Sequence, residues 1–118
     1  MVDQVIKEEK PDVYVGIEDI WGFTGYWNKN WWNKINCMVW TTLDSLPLLP
    51  EAVSAAPKIK NYYVWANFAA KEMNRLGHEH VGLLRGSLNS DSFFRLSDQD
   101  KTALRQKRPY LSLNDASR

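Results

Sequence analysis

Four short apolar segments punctuate the chain, and polar or helix-patterned stretches separate them. The first, Val13-Tyr14-Val15-Gly16-Ile17, is continuous and rich in β-branched and aromatic residues, which predicts a strand buried on both faces. Residues 35–43, 61–66 and 80–84 predict three more strands of similar character. Between them, residues 21–33 are aromatic and amide-rich, with Gly22 and Gly25 at the start, and predict a loop leading into a short helix. Pro47 and Pro50 break the chain before a brief helix over 51–56. Phe68, Ala69, Met73 and Leu76 fall at helical spacing, with Gly77 placed for a left-handed C-terminal cap. The segment 2–10 reads as helix ended by Pro11, because a residue before proline is pushed out of the α region. Ser97 opens a last, basic helix after a loop over 85–92.

Strands alternating with helices across short connections predict an α/β fold, a short parallel sheet with flanking helices. Residues 1–96 form the α/β domain in this reading, and 97–118 a basic C-terminal helix and tail. Ligands of such sheets sit at the carboxyl ends of the strands. Asp19, Thr42, Asp44, Ala66, Asn67 and Arg85 all fall at those ends.

Composition narrows the class. With 118 residues there is room for one domain, and 15 basic against 14 acidic side chains give no field that would hold a nucleic-acid backbone. No nucleic-acid partner is expected. The charge is uneven, with two lysines against six acids over residues 1–19 and five basic residues against Asp115 over 101–118. Such asymmetry orients ends toward a partner or is plain solvated surface. Cys37 stands alone, so no internal disulfide forms. The first ten residues lack the apolar core of a secretory signal, and no segment reaches the 18 or so apolar residues of a membrane span. A cytoplasmic protein without a membrane span is the expectation.

Each candidate for chemistry has a plain alternative. Asp98-Gln99-Asp100 places two carboxylates where they could share a metal, yet Ser97 with Asp100 also fits a helix cap. His78-Glu79-His80 has two imidazoles of a zinc set but lacks further Cys or His ligands, and a surface turn is favoured. No metal site and no cofactor are expected. Cys37, within a strand, reads as a small buried hydrophobe. Trp40 and Trp65, on strands, read as core. Trp21, Trp27, Trp31 and Trp32 crowd one segment, and such rings stack on sugars, anchor partner proteins or simply pack. Asp44 reads as a general base or a ligand for an acceptor hydroxyl, or as a cap on the loop closed by Pro47.

Three stretches together resemble a known family. They are Pro11-Asp12-Val13-Tyr14-Val15, then Thr41-Thr42-Leu43-Asp44 with Leu46-Pro47-Leu48-Leu49-Pro50, then residues 62–68 followed by 71–77 and the loop Arg85-Gly86-Ser87-Leu88-Asn89-Ser90-Asp91-Ser92-Phe93. From Pro11 to about Leu113 the chain resembles the later part of the N-terminal domain of the group 1 retaining glycosyltransferases of GT-B fold. In that pattern the loop is one residue shorter, an acid stands at the position of Asn89, and a serine lies near Ala66. The resemblance implies a partial Rossmann-like domain supplying the acceptor side of a nucleotide-sugar-dependent transferase. Within this reading Asp44, at the mouth of the sheet, is the expected catalytic residue, and Asp19, Trp21, Thr42, Asn67 and Arg85 are expected to contact substrate. The family's second, donor-binding domain has no counterpart in this sequence, so the chain is expected to be truncated or split and inactive alone. A second chain, a homo-oligomer, or a sugar or glycan is the implied partner. The alternative from another class is a non-catalytic interaction or assembly protein on the same fold fragment, binding through Trp27, Trp31 and Trp32.

Overall fold

The computed structural model describes residues 1–107 and divides the chain after Gly86. The boundary expected from the residue pattern follows residue 96, just before the last helix. In the first unit, helix α1 (Val2–Glu9) precedes strand β1 (Val13–Ile17). Two 3-10 turns, Ile20–Phe23 and Tyr26–Asn28, lead to β2 (Asn36–Thr41). Helix α2 (Pro50–Ala55) with a further 3-10 turn (Ala56–Lys58), β3 (Asn61–Val64), helix α3 (Asn67–Arg75) and the two-residue β4 (Gly82–Leu83) complete it. The second unit contains α4 (Asp98–Lys107).

The α/β expectation holds: the four strands form one sheet in the order β1-β2-β3-β4, and every pair is parallel. Each strand is added on the same side of its predecessor. Because crossovers between parallel strands are right-handed, this order puts all three connections on one face. The core follows from that. Register places Tyr14 beside Cys37, Gly16 beside Val39, Val39 beside Tyr62, and Thr41 beside Val64, all on the covered face. Against them pack Ile20, Phe23 and Trp32 from the first crossover, Ala52, Ala55 and Ala56 from the second, and Ala69 and Met73 from the third. Small alanines let α2 approach closely, and the Tyr62 hydroxyl donates to the Ala52 carbonyl at 3.3 Å. At Gly16 a methyl group would run into the Phe23 ring, so this position admits no side chain without moving the core.

The opposite face is different. Val13, Val15 and Ile17 of β1 are 54%, 51% and 57% exposed, and Met38, Trp40 and Tyr63 are half-buried beside them. The expectation that β1 is buried on both faces is therefore corrected. Its run of apolar residues is that of a strand with two cover layers, and the first unit supplies one. Helix α1 reaches only one margin, lining with Pro11, Val13 and Val15 an apolar groove of about 340 Å³. Asp3 ties α1 down by accepting hydrogen bonds from Lys29 Nζ at 2.8 Å and Trp31 Nε1 at 2.7 Å. These bonds hold the Asp3 carboxyl below its usual range.

Helix α3 ends as its sequence requires. Gly77 adopts φ +94°, its N–H donates to Asn74, and the His78 N–H donates to Met73, the paired bonds of a Schellman cap. In the second unit, the Asp100 N–H donates to Ser97 Oγ at 3.1 Å while Ser97 Oγ donates back to Asp100 Oδ2 at 2.8 Å. The acidic tripeptide thus takes the capping role. The part of the basic tail beyond Lys107 lies outside the described residues.

Candidate functional site

The loops leaving β1 and β2 meet at the carboxyl rim of the sheet. There Asp19, Ile20, Trp21, Thr42, Leu43, Asp44, Ser45 and Leu49 line a pocket of about 180 Å³. Its two loops are positioned by the core: Ile20 and Leu43 are buried plugs, while their neighbours Trp21 and Asp44 are exposed. Thr42 Oγ1 donates to Asp19 Oδ1 at 2.5 Å, which fixes that carboxylate and leaves its other oxygen for a ligand. Asp44 is exposed, and the Trp21 indole is 65% exposed and presents a free aromatic surface.

Four of the residues expected at the site are thus brought together: Asp19, Trp21, Thr42 and Asp44. Asn67 and Arg85 are not. Asn67 opens α3 after β3, Arg85 follows β4, and both are exposed without lining this pocket. The strand order also never reverses among the described residues, so the pocket is a rim cleft between two loops and not a crevice at a topological switch point.

The tryptophans sort differently from their spacing in sequence. Trp32 is 5% exposed and donates its indole N–H to the Lys58 carbonyl at 3.0 Å, so it belongs to this chain's own core rather than to a partner contact. Trp27 and Trp31 are half-buried and packed on the same core, with Trp31 5.3 Å from the Tyr14 ring. Conversely, Trp40 and Trp65, expected inside, stack on each other at 4.5 Å and 18° on the less covered face. Trp65 is 38% exposed, and the Trp40 indole N–H donates to Leu84 O at 2.7 Å. Together with Ile17, Glu18, Asp19 and Thr42 they line a second pocket of about 200 Å³. Parity was the available signal, since Trp40 and Trp65 alternate with the buried Val39, Thr41 and Val64.

Cys37 is 5% exposed, and burial pushes its thiol pKa up, which suits a packed hydrophobe and not a nucleophile. His80 Nε2 lies 2.8 Å from Ala56 O and 3.2 Å from Ile59 O. Two carbonyls can only accept, so this nitrogen carries a proton and serves the turn. Among the described residues no group of three or more His, Cys, Asp or Glu side chains could hold a metal, and no helix is long and apolar enough to cross a membrane. No protein-family model matches the chain, and no curated protein or solved structure shows significant similarity to it.

Proposed function

We propose that this chain is the acceptor-side half of a glycosyltransferase-like enzyme, inactive until a second domain or chain supplies the nucleotide-sugar site. The observation that carries the reading is the rim pocket, where Asp19, Thr42 and Asp44 gather beside the exposed Trp21 ring. Carboxylates and a hydroxyl match the hydroxyl array of a sugar, and an indole face packs on its C–H surface. Asp44 would accept a hydrogen bond from the acceptor hydroxyl and draw off its proton as the hydroxyl attacks. Among the described residues no lysine or arginine lines the pocket, so these offer a diphosphate no counter-charge and the donor would be held by the other half. A transferring cleft also has to exclude water, and one open rim does not.

Titration of the tryptophan fluorescence with a panel of neutral hexoses tests this. Saturable binding is expected, weakened about tenfold, or about 1.4 kcal/mol, by Trp21→Ala and by Asp44→Asn. Absence of saturable binding across the panel overturns the reading.

A second reading, assembly without catalysis, is favoured by β1. This edge strand has no charged side chain within it and shows Val13, Val15 and Ile17 to solvent, without the lysines or prolines that normally blunt an edge. An antiparallel pairing of β1 with β1 of a second copy is self-complementary, as two-fold interfaces must be. Sedimentation would then show a dimer that Val15→Lys dissolves, whereas a monomer at high concentration rules it out.

A further inference from the structure

The two pockets at the rim are neighbours that share Asp19 and Thr42. One is built from the β1 and β2 exit loops with Trp21, and the other lies on the less covered face with Trp40 and Trp65. At about 180 and 200 Å³ each is smaller than the roughly 300–1,000 Å³ of pockets that take drug-sized ligands, and the two joined enter that range. The shared residues are poised between them. Thr42 occupies Asp19 Oδ1, and the Asp19 N–H occupies Glu18 Oε1 at 3.0 Å, so each carboxylate keeps one oxygen free to accept a ligand hydroxyl. Aromatic surface stands on both sides of this acid pair. Ligand charge is constrained as well, because among the described residues Glu18, Asp19 and Asp44 are the ionisable groups lining the two pockets and no basic side chain joins them.

We infer that the acceptor is an uncharged glycan of at least two rings, laid across the Asp19–Thr42 pair with one ring against Trp21 and the next against Trp40 and Trp65. This deepens the function proposed above and rests on it. A single ring would fill one pocket and leave the other to water. Uronate or phosphate groups would meet carboxylates with no cation to offset them.

The experiment is a titration of the chain, followed by the indole N–H signals in NMR, with glucose, galactose and mannose against disaccharides of each. A disaccharide at least tenfold tighter than its monosaccharide is expected, and it alone should shift the Trp65 signal. The corresponding uronate-bearing disaccharide should bind at least tenfold more weakly than the neutral one. Trp65→Ala should abolish the gain from the second ring, bringing the disaccharide down to the affinity of its monosaccharide. Trp65→Phe, which keeps an aromatic surface, should restore part of it and guards against misfolding. Equal affinity for one ring and two, with Trp65 silent, overturns the two-ring inference while the rim pocket stands. Failure of every saccharide overturns both.

Discussion

The two faces of the sheet are made from the same strands and similar residue types, yet they have opposite fates. On one, Val39, Tyr62 and Val64 are fully buried under three crossovers. On the other, Val13, Val15 and Ile17 remain about half exposed. The difference is not in hydrophobicity. It comes from winding, since a sheet that grows in one direction with right-handed connections is clothed on one side. Parallel sheets are ordinarily covered on both sides, and in the first unit one of the two is left largely open. The polar rim lies where the two faces join.

Substitutions at matched positions should expose the contrast. Tyr62→Ala removes a large ring from the covered face and should cost about 3–5 kcal/mol in urea denaturation. Val15→Ala, on the other face, should cost under about 1 kcal/mol, since half of its surface is already in water. Equal costs would mean that the second face is covered in solution. Gly16→Ala should cost about 1–3 kcal/mol by forcing the Phe23 ring aside, although it adds one methyl group. A smaller effect is expected from pH. Burial raises the Tyr14 hydroxyl to about 12, and burial also raises Tyr62. Both are neutral in the fold, so their contribution is complete below pH 10, the ordinary tyrosine value. It declines from there as pH rises through the raised folded values, because the unfolded chain ionises first. The denaturation midpoint should be level from about pH 6 to about pH 9 and fall between 10 and 12, and Tyr14→Phe should flatten that fall.

Most of the architecture was legible from residue patterns. The strand expected at Val13–Ile17 has those bounds, and β2 and β3 lie within the predicted ranges. Gly77 caps α3, and Ser97 caps α4. These signals are local, set by backbone sterics and side chains a few positions apart. What escaped was long-range. An apolar run such as Val13-Tyr14-Val15 says that both sides prefer burial, but not whether the chain supplies both covers. Trp32 shows the same limit, since an indole's sequence neighbours do not determine whether a crossover folds it into the core, whereas Trp65 could have been placed by parity along its strand. At the rim, Asp19, Thr42 and Asp44 could be placed from strand ends alone. Asn67 and Arg85 follow strand ends too, but those of β3 and β4, and neither lines the pocket between the first two loops.

The sequential strand order has a further consequence for how the molecule forms. Val13 aligns with Asn36, Met38 with Asn61 and Tyr63 with Gly82, spacings of 23, 23 and 19 residues. Each strand therefore meets a partner that is adjacent in the chain, and every closure spans a loop of nearly the same length and entropy. The sheet can be assembled by accretion, one helical crossover after another from either end, with no strand waiting for a distant segment to be inserted between its neighbours.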